Sequence, residues 1–190
     1  MTLADKVTSV RLVLAPLFFI VFVYFNSFWT VIVLWIIFIV SELTDLLDGM
    51  IARKRNEISD FGKLFDPFAD TLTQLTYFLC FVMEGILHPF LLLAVLYREF
   101  GVLFLRNQLL SKGITLAASI WGKIKTITYI MAGALALAAS SVMRLGFPES
   151  ELYAGLRFAA LIVFAVSVFL AVISFLDYVR TLKMAKGPIV

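Results

Sequence analysis

Two pairs of aspartates stand out among the thirteen acidic residues of the sequence. Asp45 and Asp48 are three residues apart, and Asp66 and Asp70 are four residues apart. In a helix, side chains at these spacings lie on one face, within reach of each other. Four carboxylates in a poorly solvated place repel one another unless cations lie between them. Oxygen ligands without a nearby histidine or cysteine suit Mg²⁺ or Mn²⁺, so the pattern predicts two divalent cations that could hold a diphosphate.

Small residues and one arginine accompany these aspartates. Gly49 follows Asp48, Ala52 comes one helical turn later, and Gly62 precedes Asp66. A glycine in a helix costs up to about 1 kcal/mol relative to alanine, and its advantage is the close approach of a ligand or another backbone. Arg53 could clamp a diphosphate. Plain helix packing is the alternative explanation for each small residue.

The composition places these residues in a membrane protein. Of the 190 residues, 62% are hydrophobic and 15% are charged, whereas soluble domains are typically about 45–50% apolar and about 25% charged. A core of this size cannot hide that much apolar surface from water. The composition therefore predicts an integral membrane protein and excludes a disordered chain, a coiled coil and a disulfide scaffold.

Apolar runs predict an all-α polytopic fold with six transmembrane helices. The uncharged residues 12–40 are too many for one span of about 20 residues, so we expect a turn at Asn26-Ser27. The second helix must then extend to Arg53, which carries its carboxylates to the membrane surface. The other spans are predicted at residues 64–83, 90–105, 126–143 and 158–176.

Charge asymmetry predicts the orientation of the six spans. With both termini on one side, that side carries thirteen of the sixteen basic residues, and the other side has only Arg144 and Arg157 near its helix ends. The positive-inside rule therefore places both termini in the cytoplasm. We expect the protein in the inner (plasma) membrane of the cell. We expect a single membrane domain over residues 1–190, without a cleavable signal peptide.

The aspartate run also carries a resemblance to a known family. The pattern D-x2-D-G-x2-A-R over residues 45–53, followed after eight residues by G-x3-D-x3-D over residues 62–70, resembles the signature of the CDP-alcohol phosphatidyltransferases at every fixed position. The resemblance implies a membrane enzyme with six helices, usually a homodimer, that joins a CDP-linked donor to an alcohol and releases CMP.

The resemblance also implies roles for individual residues. It implies that Asp70 is the base for the acceptor hydroxyl. It further implies a site for two cations, Mg²⁺ or Mn²⁺, formed by Asp45, Asp48, Asp66 and Asp70 itself, and a CDP pocket lined by Gly49, Ala52, Arg53 and Gly62.

A second polar cluster bears on the acceptor. It contains four cations: Arg98, Arg106, Lys123 and Lys125. Cations facing the metal site favour an acceptor that is itself a phosphate, because a neutral or zwitterionic alcohol would gain nothing from them. Two alternatives remain open. Lys123 and Lys125 could follow only the positive-inside rule and contact lipid headgroups, and Arg98 could pair with Glu99.

Within the family, the R-E-F-x5-R run and the G-K-I-K-T run resemble bacterial phosphatidylglycerophosphate synthases. The opening Asp5, Thr8, Arg11 and Pro16 also resemble the start of that subgroup, which usually has Asn in place of Asp5; a Lys is common there in place of Thr71. The likeness covers about residues 5–126, and the chain beyond shows only apolar spans and a basic tail.

The resemblance, together with the basic cluster, therefore implies metal-dependent transfer of a phosphatidyl group from CDP-diacylglycerol to sn-glycerol 3-phosphate, at the cytoplasmic side of the bilayer. The expected partners are these two substrates, the lipid bilayer and a second copy of the chain, with no nucleic acid. One alternative is the same chemistry with another acceptor, such as inositol phosphate. A cation transporter is the alternative from a different class, but the carboxylates cluster at one surface, which disfavours transport.

Overall fold

The computed structural model describes residues 3–55, 62–110 and 120–184, and every helix of that part of the chain is an α-helix. The described residues contain no strand, which confirms the prediction of an all-α protein with six helices. The helices are α1 (Leu3–Tyr24), α2 (Phe28–Arg55), α3 (Gly62–Met83), α4 (Pro89–Leu110), α5 (Ile120–Arg144) and α6 (Glu151–Met184).

The turn between the first two helices lies where the sequence predicts it, but the later helices are longer than the predicted spans. The turn between α1 and α2 contains Asn26 and Ser27, as predicted. By contrast, α5 begins at Ile120 and not near Thr126, so Lys123 and Lys125 lie in its first two turns and not in a loop. An apolar run marks only the length of a helix that lies within the membrane. The helix itself continues into the polar residues beyond that run.

Within the described residues, three helices are long and apolar enough to cross a membrane by themselves. The qualifying stretches of the described chain are Phe28–Asp45 in α2, Ile120–Arg144 in α5 and Glu151–Arg180 in α6, while α1 has a shorter apolar stretch, Thr8–Tyr24. Large apolar side chains such as Val13, Ile36 and Phe169 are exposed on the outside of the bundle. An exposed apolar exterior is what a lipid environment requires.

Helix α3 lies at the centre of the bundle, in contact with α1, α4 and α5. Its aromatic residues form the core: the rings of Tyr77 and Phe18 meet edge to face with centroids 4.5 Å apart, and Phe78 packs on Phe164 of α6 at 4.6 Å. Aromatic contacts of this kind add about 0.5–1.5 kcal/mol to the energy of burial. They hold α3 in place between helices that come from both ends of the sequence.

An arginine joins three helices at the end of the bundle opposite the carboxylates. Arg144, the last residue of α5, forms an ion pair with Glu84 and donates hydrogen bonds of 2.9 Å to the carbonyl oxygens of Phe22 and Phe25. Its guanidinium also lies 4.3 Å from the centroid of the Phe22 ring. Arg144 thereby satisfies carbonyls that the end of α1 leaves without helical partners.

Candidate functional site

Carboxylates from two helices converge on one arginine. Nη1 of Arg11, on α1, donates to Oδ1 of Asp45 on α2 and to Oδ1 of Asp70 on α3. Arg11 is buried, with its side chain 3% exposed, whereas Asp45 and Asp70 are 39% and 37% exposed. The first three helices therefore bring the two predicted metal ligands to a shared positive charge at a partly open surface.

A third predicted ligand is held by the same helix that supplies Arg11. The hydroxyl of Thr8 donates a 2.8 Å hydrogen bond to Oδ1 of Asp66. Thr8 and Arg11 are three residues apart on α1, so one face of this helix contacts both Asp66 and Asp70. Pro67, between these aspartates, lies inside α3, and the helix continues past it.

The rest of the aspartate motif is placed only by its backbone. Asp48, Gly49, Ala52 and Arg53 lie in the last two to three turns of α2, but their side chains are outside the described residues. Gly62 is buried and begins α3. Among the described side chains, no group of three or more carboxylates, histidines or cysteines is close enough to form a complete metal site.

The carboxylates that the structure describes nevertheless suit a divalent cation. One nitrogen of Arg11 contacts both Asp45 and Asp70, so these carboxylates approach a single positively charged group from two helices. All the ligands that the motif offers are carboxylate oxygens, which is the donor type that Mg²⁺ and Mn²⁺ prefer.

A cavity of about 200 Å³ joins Asp70 to the second polar cluster. Its wall contains Asp70 and all four cations that the sequence singled out: Arg98, Arg106, Lys123 and Lys125. The wall also contains Glu99, so four cations face two carboxylates among its described residues. This surplus of positive charge attracts an anion to a cavity whose one side is the carboxylate of Asp70.

Two of the four cations share a carboxylate. Nζ of Lys125 lies 2.7 Å from one oxygen of Glu99, and Nη1 of Arg98 lies 2.8 Å from the other. Arg98 also donates to the carbonyl oxygen of Ala171 and to the hydroxyl of Ser174, both at 3.1 Å. The pairing of Arg98 with Glu99, one of the alternatives from the sequence, is therefore present. Arg98 and Lys125 are both buried in a hydrogen-bonded framework.

The other two cations are more open to the cavity. Arg106 is half-buried and Lys123 is exposed, and neither forms an ion pair with a carboxylate in the described ranges. Nη2 of Arg106 donates a 3.0 Å hydrogen bond to the phenol oxygen of Tyr178, and its guanidinium lies 5.5 Å from the centroid of that ring. Arg106 and Lys123 are thus the cations best able to receive a phosphate.

Helix α6 contributes to the cavity, which was not expected from the sequence. Residues beyond Thr126 were expected to form only apolar spans, yet Ala171 and Ser174 hold Arg98 and Tyr178 holds Arg106. A signal was available, because Ser167, Ser174 and Tyr178 are spaced by seven and four residues and so share one helix face. All three are buried.

Comparisons with known proteins show which family the chain resembles. The family model described as CDP-alcohol phosphatidyltransferase matches residues 1–173, so the family likeness extends well past residue 126 and includes part of α6. A CDP-diacylglycerol–glycerol-3-phosphate 3-phosphatidyltransferase of Treponema pallidum is 36% identical over 95% of this chain and 89% of its own length. A probable phosphatidylglycerophosphate synthase of Mycobacterium tuberculosis is 33% identical over 97% and 84%.

Proposed function

Because the chain belongs to the CDP-alcohol phosphatidyltransferase family, we propose that it transfers a phosphatidyl group from CDP-diacylglycerol to sn-glycerol 3-phosphate, releasing CMP. The relatives from Treponema pallidum and Bacillus subtilis carry the name of this activity. The observation that carries the acceptor assignment is the cavity that joins Asp70 to four cations.

The reaction requires one proton transfer and one phosphorus–oxygen exchange. The 1-hydroxyl oxygen of glycerol 3-phosphate attacks the phosphorus that bears the diacylglycerol. A bond forms between these atoms, and the bond from that phosphorus to the bridging oxygen of the diphosphate breaks, so CMP leaves. Asp70 accepts the hydroxyl proton. This role suits its position, because its carboxylate is partly exposed and lines the cavity in which the acceptor is proposed to bind.

Arg106 and Lys123 hold the phosphate of the acceptor in this proposal. Charge-assisted hydrogen bonds to a phosphate contribute about 1.5–3 kcal/mol each. Arg98 and Lys125 both pair with Glu99 and so support the wall of the cavity. They add to its positive potential, but Glu99 already neutralises part of their charge. Inositol phosphate would meet the same cations, so the acceptor must be distinguished by experiment.

Members of this family generally depend on a divalent cation. We propose that Asp45, Asp48, Asp66 and Asp70 hold two such ions, Mg²⁺ or Mn²⁺, next to Gly49, Ala52, Arg53 and Gly62 of a CDP pocket. When bound, the cations neutralise the diphosphate and make CMP a better leaving group. In the structure Arg11 supplies positive charge to Asp45 and Asp70, which lowers the repulsion between these carboxylates.

The surroundings of the reaction follow from the fold. Membrane helices and bacterial relatives indicate an inner-membrane protein. We propose that residues 1–190 form one domain, that the cavity opens to the cytoplasm, and that the protein forms a homodimer without a nucleic-acid partner. The cation transporter is less well supported, because the aromatic core of Phe18, Tyr77 and Phe81 fills the bundle beyond the carboxylates.

An acceptor survey tests the proposal. The purified protein in detergent micelles receives CDP-diacylglycerol and Mg²⁺ or Mn²⁺, and each of several alcohols is added in turn: glycerol 3-phosphate, glycerol, inositol phosphate and serine. We expect CMP release with glycerol 3-phosphate and almost none with glycerol or serine. Faster release with inositol phosphate would transfer the assignment to that acceptor. No release with any alcohol, from protein that is folded, would overturn the function.

A further inference from the structure

A small cavity lies beside Arg11, Asp45 and Asp70, separate from the larger one. It is formed between α1, α2 and α3 and has a volume of about 10 Å³, which is room for about one water-sized group. The residues that complete its wall are Ser41 and Glu42 of α2 and Thr73 and Gln74 of α3. None of these four residues belongs to the aspartate motif.

Glu42 is a carboxylate without an assigned role. It precedes Asp45 by three residues, the same spacing that separates Asp45 from Asp48, so it continues the carboxylate face of α2 by one turn into the Phe28–Asp45 span. In the described part of the chain it forms no hydrogen bond and no ion pair. An acidic side chain within a membrane span is costly and therefore marks function.

Two buried hydroxyls line the same cavity. Ser41 is 1% exposed and Thr73 is 3% exposed, and neither hydroxyl oxygen has a hydrogen-bond partner among the described residues. A buried polar group that lacks a partner costs about 1–3 kcal/mol. The two hydroxyls therefore favour a polar ligand, and they approach it from α2 and α3, the helices that carry the aspartate motif.

The charge of the cavity selects the kind of ligand. Among the described residues of its wall, Glu42, Asp45 and Asp70 are three carboxylates and Arg11 is the one basic side chain. The remaining negative charge favours a cation, and the donors are oxygens of carboxylates, hydroxyls and an amide. Mg²⁺ gives up its bound water reluctantly, so residues next to its direct ligands commonly hold those waters.

We propose that Glu42, Ser41 and Thr73 form the deep wall of the cation site and hydrogen-bond to water carried by the bound divalent cation. This inference rests on the proposed function, because that function places the cation between Asp45 and Asp70. Glu42 thereby adds a fifth carboxylate to the four of the motif and acts on the cation through water. It is a positioning residue and does not contact the substrates.

Cation affinity, measured without substrates, tests the assignment. Mn²⁺ is titrated into the full-length protein in detergent, and free Mn²⁺ is followed by electron paramagnetic resonance. Residues that orient the groups around a metal typically contribute 10–100-fold to its affinity. We expect Glu42→Gln to raise the Mn²⁺ dissociation constant about 10-fold and Thr73→Val to raise it several-fold.

Two matched variants serve as controls. Glu149→Gln removes an exposed carboxylate in the loop before α6, and Thr76→Val removes a hydroxyl of α3 that donates to the carbonyl oxygen of Leu72. Both should bind Mn²⁺ like the wild type, and melting temperatures measured without metal identify any variant that fails to fold. Unchanged affinity in folded Glu42→Gln, or in folded Thr73→Val, overturns the inference. If the wild type itself binds no Mn²⁺, the proposed cation dependence fails as well.

Discussion

Lys125 and Glu99 form a buried ion pair between α5 and α4, with Nζ of the lysine 2.7 Å from Oε1 of the glutamate. Both side chains are only 9% exposed, and Arg98 binds the second oxygen of the same carboxylate. Because Glu99 already neutralises part of their charge, Arg98 and Lys125 differ from the two cations that remain open to the cavity. This difference separates the residues expected to control acceptor binding from those expected to control stability.

Replacing Arg106 should weaken the binding of the acceptor and leave the binding of the donor unaffected. Arg106→Ala removes a cation that faces the cavity and has no carboxylate partner in the described chain. We expect the Michaelis constant for glycerol 3-phosphate to rise about 10-fold, corresponding to about 1.4 kcal/mol, with that for CDP-diacylglycerol nearly unchanged. Arg157→Ala, an exposed arginine near the start of α6, is the control. A rise in the donor constant alone would instead place Arg106 in the CDP pocket.

Removing the phenol oxygen of Tyr178 should have a smaller effect on the same constant. Tyr178→Phe deletes the acceptor of the 3.0 Å hydrogen bond from Arg106 but keeps the ring beneath the guanidinium. A hydrogen bond contributes about 0.5–1.5 kcal/mol, so we expect a rise of about 2–10-fold in the acceptor Michaelis constant, with turnover unchanged. Tyr153→Phe provides a matched change at the other end of α6. An unaltered acceptor constant would show that Tyr178 does not position Arg106.

Asp70→Asn should lower turnover far more than donor binding. A positioned base typically contributes about 10²–10⁴-fold to the rate, and asparagine keeps the shape of the side chain while losing its basicity. Turnover is measured as CMP release, and donor affinity by equilibrium binding of CDP-diacylglycerol. Glu149→Gln controls for the loss of one negative charge. A parallel fall in donor affinity would indicate that Asp70 serves mainly as a cation ligand.

Glu99→Gln should destabilise the protein. The substitution leaves Arg98 and Lys125 buried beside a neutral amide, and breaking a buried ion pair by removing one partner costs about 3–5 kcal/mol. The expected result is a clear fall in the melting temperature in detergent. Lys125→Met removes the opposite charge and should also lower the melting temperature. Retention of the wild-type melting temperature by both variants would contradict the structural role of this pair.

Arg144→Met should reduce stability without changing substrate binding. It removes the ion pair with Glu84 and the hydrogen bonds to Phe22 and Phe25 at the end of the bundle away from the cavity. We expect a loss of similar size, about 3–5 kcal/mol, read as a lower melting temperature. The Michaelis constants of the remaining folded protein should equal those of the wild type. Altered constants would show that this end communicates with the site.

Residue types and local spacing were sufficient to predict the six helices and the cations of the cavity. Asp70, Arg98, Arg106, Lys123 and Lys125 line one cavity because the alternating direction of the helices brings the basic ends of α4 and α5 beside the start of α3. That arrangement follows from the number of spans, which composition and charge reveal.

Contacts between distant helices could not be predicted in the same way. Arg11 lies 34 residues from Asp45 and 59 from Asp70, and only the packing of α1 against α2 and α3 shows that it bridges them. The partners of Arg98 and Arg106 on α6 are more than 70 residues away. Glu42 was missed for another reason: it stands three residues before Asp45 but lies outside the signature that begins at Asp45.

The length of α6 has a kinetic consequence. Its 34 residues extend about 51 Å at 1.5 Å per residue, and Tyr178 is about 40 Å along the helix from Glu151, whereas the hydrocarbon layer is about 30 Å thick. Because α6 is longer than this layer, we expect Arg106 and its neighbours to lie at the depth of the lipid headgroups. A water-soluble phosphate can arrive there from solution, while the lipid donor must diffuse sideways in the leaflet. Turnover should then follow the surface mole fraction of the donor, so that diluting it with inert detergent slows the reaction even at constant bulk concentration.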